Sequence, residues 1–111
     1  MKVNVLGTLY RIIERSEAED QRLKDSSGYC DSSTKEIVLD IPADDPMNKG
    51  DLEEVKKVVL RHEIIHAFLC ESGLDCNSCS VTDWATNEEM VDWIAIQFPK
   101  ILKAFDEVGA L

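Results

Sequence analysis

His62-Glu63-Ile64-Ile65-His66 is the stretch on which the fold and the chemistry of this 111-residue chain turn. A spacing of four residues returns to the same face of an α-helix after one turn, so the two imidazoles reach a single metal ion together, with Glu63 beside it. Composition alone gives two histidines this spacing, with Glu after the first, odds of roughly 0.2%. The competing assignment is a pair of core histidines satisfied by hydrogen bonds. The helix carrying the motif is predicted to start at Asp51, an N-cap with Glu54 at the capping-box position, and to stop at Gly73. Along it Leu52, Val55, Val59, His62, His66 and Leu69 step by three and four residues, which predicts an inward stripe holding both histidines.

Two histidines need a third protein donor to hold a zinc ion. A second helix is predicted from Thr86 as N-cap, with Glu89 at the capping-box position and a stripe of Glu88, Val91, Ala95, Phe98, Leu102 and Phe105. Glu88 on that stripe is costly to bury unpaired, and metal ligation removes the cost; Glu89 is its competitor. Asp92 lies one turn beyond Glu88, placed to accept a hydrogen bond from the distal ring N–H of a ligating histidine, or else to be a solvated helix carboxylate. Pro99 falls inside the pattern and predicts a kink or a restart.

Outward from the helices, the N-terminal part reads as strand. Residues 3 to 15 are rich in Val, Leu, Ile and Tyr, and Ile37, Val38, Leu39 and Ile41 form a second run. Ala18 to Lys24 are predicted as a short helix. Gly28 and Asp31-Ser32-Ser33-Thr34 carry turn residues, so Gly28 to Asp40 is expected to fold as a hairpin, and Pro42 and Pro46 end the sheet. The expected class is α+β: one domain over residues 1 to 111, a small antiparallel or mixed β-sheet packed on two principal helices.

Charge narrows the partners. Twelve Lys and Arg against 22 Asp and Glu give a net charge of −10, which argues against a nucleic-acid backbone or an anionic membrane as partner. The first residues are too broken for a signal peptide and no apolar run approaches a membrane span, so a cytoplasmic location is expected. In that reducing compartment Cys30, Cys70, Cys76 and Cys79 are expected as thiols or metal ligands, and Cys76-Asn77-Ser78-Cys79, with Cys70 nearby, as reduced loop thiols. The alternatives are a second zinc site or disulfide, and a thiolate capping the metal.

The paired motifs His62-Glu63-Ile64-Ile65-His66 and Asn87-Glu88-Glu89-Met90-Val91-Asp92 resemble the gluzincin metallopeptidases, whose pattern is His-Glu-x-x-His followed by Asn-Glu-x-x-x-Asp. The order of strand, motif helix and ligand helix is similar to the minimal versions called minigluzincins. Glu88, Val91, Asp92 and Ala95 also match the ImmA/IrrE-type peptidases. The resemblance spans roughly residues 28 to 105 and implies a minimal zincin-like fold with one Zn2+ per chain on His62, His66 and Glu88. It further implies Glu63 as general base, Asp92 as the partner that orients a histidine, and Glu36, Ile37, Val38, Leu39 and Asp40 as the edge strand holding an extended peptide or protein substrate. The implied activity is zinc-dependent peptide-bond hydrolysis, with regulatory proteolysis of a cytoplasmic protein as its setting. The chain departs from larger members in two respects. Both histidines are used as ligands, which leaves Tyr10 or Tyr29 as the phenol to stabilise an oxyanion, and the large second subdomain is missing. The alternative from another class is a non-catalytic zinc-stabilised protein-binding module; the oligomeric state is open.

Overall fold

The computed structural model describes residues 1–77, 84–108 and 111. Its elements are β1 (Lys2–Val5), β2 (Thr8–Arg15), β3 (Gly28–Asp31), β4 (Glu36–Asp40), α1 (Leu52–Glu71) and α2 (Glu88–Glu107), with short 3-10 turns at Gln21–Leu23, Asp75–Asn77 and Trp84–Thr86. The strand expected over residues 3 to 15 is split at Leu6 and Gly7, where φ is 51° and 94°. Two successive positive φ angles give a tight turn whose twist suits a hairpin. Asn4 Oδ1 accepts from the Gly7 N–H at 2.8 Å and fixes it. The short helix expected over residues 18 to 24 contracts to Gln21–Leu23, with Asp20 accepting from the Arg22 N–H.

The strands lie in the order β1-β2-β4-β3. β2 and β4 are parallel, while β1–β2 and β3–β4 are antiparallel, so the class is α+β with a mixed sheet. This corrects one expectation. Glu36, Ile37, Val38, Leu39 and Asp40 form an interior strand, bonded to β2 on one side and β3 on the other, with no free edge on which to add a peptide. The edges are β1 and β3, because the chain places β3 outermost before β4 inserts beside β2.

Alternation along β4 separates two faces. Ile37 and Leu39 join Val5, Tyr10 and Ala67 in the core under α1, and Val38, equally buried, points the other way. Each such apolar side chain contributes about 1.5–3 kcal/mol through burial. Gly28, expected in a turn, is the first residue of β3. A Cβ there would lie 2.8 Å from the Val38 carbonyl oxygen and 2.9 Å from Val59 Cγ1, so glycine is what lets β3 approach both β4 and α1.

The first helix begins as expected, with Asp51 accepting from the Glu54 N–H at 3.0 Å. The Glu54 carboxylate pairs with Lys57 and Arg61. At its end Gly73 (φ 81°) bonds Cys70 O and Leu74 bonds Leu69 O, a Schellman closure. The inward face differs from the predicted stripe. Val59, Leu60, Ile64 and Ala67 pack on the sheet, and Ile65 and Leu69 pack with Ala85, Met90 and Val91 towards α2. The histidines sit at the seam between these two faces, and Leu52 is exposed.

The second helix starts one residue later than predicted. Asn87 is the N-cap, accepting from the Met90 N–H at 2.9 Å, while Thr86 belongs to the preceding 3-10 turn. Pro99 does not interrupt α2. Its missing N–H would have bonded the Ala95 carbonyl, and that oxygen instead accepts from Arg61 Nε of α1 at 2.6 Å. Of the predicted stripe only Val91 and Ala95 are buried; Phe98, Leu102 and Phe105 are exposed. Among the described residues no helix is long and apolar enough to cross a membrane.

Candidate metal centre

The middle of α1 and the first turn of α2 face each other across the seam. His62 Nε2 and His66 Nε2 lie 3.0 Å apart, and Glu88 Oε2 lies 3.0 Å from His62 Nε2 and 3.3 Å from His66 Nε2. A tetrahedral zinc ion with bonds of about 2.0–2.1 Å sets its donors about 3.3–3.4 Å apart, so the three atoms span nearly one face of such a tetrahedron. The donor chemistry also fits. Asp92 Oδ1 stands 2.6 Å from His62 Nδ1 and draws the ring proton to that side, leaving the Nε2 lone pair aimed at the Glu88 carboxylate. Donor atoms converging in this way are arranged as a shared cation would need them. His62, His66 and Glu88 are also the group of metal-binding residue types that clusters among the described residues.

Glu88 reaches this position for a reason other than the predicted one. Its side chain is 66% exposed, so no burial cost selects it. The position follows from Asn87 ending the preceding turn and the Leu69–Ala85–Val91 cluster docking the start of α2 on α1. Glu89, the competitor, lines a different cavity with Trp84 and Trp93. A carboxylate in the first turn is also favoured by the helix dipole.

Glu63 is 6% exposed, and its carboxylate stands 3.9 Å from His62 Nε2. Burial pushes its pKa up to about 7, with His62 pulling the other way and Glu88 and Asp92 adding to the rise. A carboxyl poised near neutrality beside a donor cluster suits proton transfer. The centre opens into a cavity of about 440 Å³. Its walls are Gly28 and Cys30 of β3, the two histidines and Glu63 of α1, Glu88 of α2, and Asp75 of the connecting loop. Asp75 Oδ1 is buried there with no hydrogen-bond partner among the described residues.

No family model, curated protein or solved structure matches the chain.

The remaining candidates divide. Neither tyrosine offers a free phenol: the Tyr10 hydroxyl donates to Glu71 at 2.7 Å in the core, and the Tyr29 hydroxyl donates to Asp20 under the Arg22 guanidinium. Thr8 and Lys35 also bond Glu71, which fastens the end of α1 to the sheet. Glu36 to Asp40 do not line the centre; β3, the edge strand, does. Cys30, Cys70 and Cys76 are free thiols. Cys30 lies in β3, Cys70 in the last turn of α1 and Cys76 in the turn that follows, and Cys79 lies outside the described residues. Burial pushes the Cys30 thiol up to about 12, with Glu63 and Cys70 adding to the rise, so in the metal-free chain it is protonated at neutral pH. The roles of Gly28 and Asp75 in the cavity wall are missed by sequence reasoning. No local pattern marks a glycine needed for a helix–strand contact or a loop acid turned inward.

Proposed function

We propose that the chain is a compact zinc-dependent peptidase of gluzincin type with a minimal zincin-like fold, acting on an extended peptide or protein substrate in the cytoplasm. The observation that supports this most is the meeting of His62, His66 and Glu88 from two helices at 3.0–3.3 Å, with Glu63 buried alongside. These three residues would hold the metal, and Asp92 would keep the His62 lone pair turned towards it. Zinc at that position supplies Lewis acidity, which brings the pKa of water down to about 7 and polarises a peptide carbonyl. Glu63 takes the proton from the attacking water and passes it to the leaving nitrogen, a role suited to a carboxyl whose pKa lies near 7. The substrate lies along β3, whose outer edge is unpaired and whose inner face forms the cavity wall.

The test compares the zinc-loaded parent with Glu63→Gln on a peptide library scored by mass spectrometry. Hydrolysis is expected to fall by about 10²–10⁴-fold in the variant while zinc content and peptide binding persist. A zinc-loaded parent that cleaves nothing replaces this reading with a zinc-stabilised binding module. Equal cleavage by the two proteins removes Glu63 from the chemistry.

A further inference from the structure

Between Arg61 and Lys100 the chain carries no Lys or Arg, yet it contains Glu63, Glu71, Asp75, Asp83, Glu88, Glu89 and Asp92. Seven units of the net −10 therefore fall in this one stretch; the 15 acids and 12 bases elsewhere leave only −3. The same stretch exposes two indoles, Trp84 at 62% and Trp93 at 58%. They line one open cavity of about 470 Å³ with Asn87, Glu89 and Met90. Glu89 lies one helical turn before Trp93, and the salt bridges among the described residues leave it without a cation.

Exposed tryptophans are uncommon on surfaces that meet only water and are enriched where a partner binds. The face of an indole attracts a cation, and a carboxylate beside it supplies the counter-charge. We propose that this slot binds the guanidinium of an arginine in a protein or peptide partner, stacked on an indole and paired with Glu89. A planar fork matches that pair of surfaces better than the compact ammonium of lysine, which should bind more weakly. The slot opens from the same α2 N-terminus that carries Glu88, one residue and about 3.8 Å of backbone away. A segment seated in it starts on the flank of α2 next to the one that carries Glu88, and an extended chain has only the breadth of that helix to cross to the centre. Its use as an exosite that selects basic substrates rests on the peptidase reading; the binding of arginine does not.

The experiment uses the full chain, metal-free and zinc-loaded, and follows tryptophan fluorescence and indole N–H resonances. The probes are N-acetyl-arginine amide, a short arginine-containing peptide, and the same peptide with citrulline, which keeps the shape and removes the charge. Saturable binding of the arginine peptide is expected with and without zinc, weakened by salt, and about tenfold weaker for citrulline. Trp84→Ala and Trp93→Ala should each weaken it about two- to five-fold. Glu89→Gln should weaken it about tenfold while zinc affinity is unchanged. If either tryptophan variant fails to fold by circular dichroism, Glu89→Gln and the citrulline comparison decide. Equal binding of arginine and citrulline, or no saturable binding, overturns the proposal. A tryptophan signal that changes with protein concentration alone also overturns it, because a second copy then covers the slot. Arginine binding without any cleavage sinks the peptidase reading alone; cleavage indifferent to arginine and to Glu89→Gln sinks the exosite alone.

Discussion

α1 is packed on two flanks, against the sheet through Leu60, Ile64 and Ala67 and against α2 through Ile65 and Leu69, and it is closed by an Asp51 cap and a Schellman turn. α2 buries only Val91 and Ala95, and leaves Ile96, Phe98, Leu102 and Phe105 between 42% and 48% exposed. The donors at the metal centre inherit this contrast. The His62 and His66 side chains are 16% and 24% exposed, whereas Glu88 and Asp92 are 66% and 59% exposed. Half of the candidate centre is thus held by the core. The other half consists of exposed carboxylates, whose ordering costs up to about 1–2 kcal/mol of side-chain entropy each. A small fold can set two ligands rigidly on one well-packed helix and recruit the rest from a helix tied down at few points.

The strongest test of that contrast is zinc affinity, measured by competition with a chromophoric chelator. His66→Ala is expected to abolish stoichiometric binding. Glu88→Ala should bind zinc weakly with two ligands left, and Asp92→Ala should lose only about 10–100-fold, because it orients a ligand without donating to the metal. Glu89→Ala should leave affinity unchanged. Loss of zinc in that variant would move the ligand by one residue and rotate α2.

The next effect concerns the burial of Glu63. Its pKa rises from 4.5 towards about 7 on folding, so between those values the folded chain binds more protons than the unfolded one. The part of the metal-free protein's stability that Glu63 controls is therefore fully present below pH 4.5, is lost as pH rises through 7, and does not return above it, while Asp20, Asp31 and Glu71, held below the usual carboxylate range, act in the opposite sense in acid. Glu63→Gln should therefore stabilise the metal-free protein by about 3 kcal/mol at pH 8 and by almost nothing at pH 4, measured by urea unfolding. A gain independent of pH would place the carboxylate in water.

Smaller effects separate the supports. Gly28→Ala should cost about 1–3 kcal/mol, because the added methyl meets the Val38 carbonyl and Val59, and it should loosen β3 along the cavity. Arg61→Met should cost about 1–2 kcal/mol by leaving the Ala95 carbonyl unpaired. Hydrogen exchange should then rise in α2 and remain unchanged in α1. Equal loosening of both helices would show that they unfold together.

The sequence by itself determined what depends on neighbours along the chain. The spacing of His62 and His66 fixes one helix face, Asp51 and Gly73 bound the helix, and the run at Ile37, Val38, Leu39 and Ile41, rich in β-branched residues, marks a strand. These follow from 3.6 residues per turn, the fit of β-branched side chains to a strand, and caps formed within four residues. Thr86, the expected second cap, and Asn87, the actual one, are both residue types that cap well, and only the packing of Ala85 and Val91 against Leu69 chooses between them. The tertiary structure alone decided that β4 is interior and β3 is the edge, since strand order rests on contacts between residues far apart in the chain. It alone set the 2.6 Å approach of Asp92 to His62, the burial that brings Glu63 near neutrality, and the pairing of Arg61 with the carbonyl freed by Pro99. Each of these depends on how far two elements stand apart, a distance no local pattern contains.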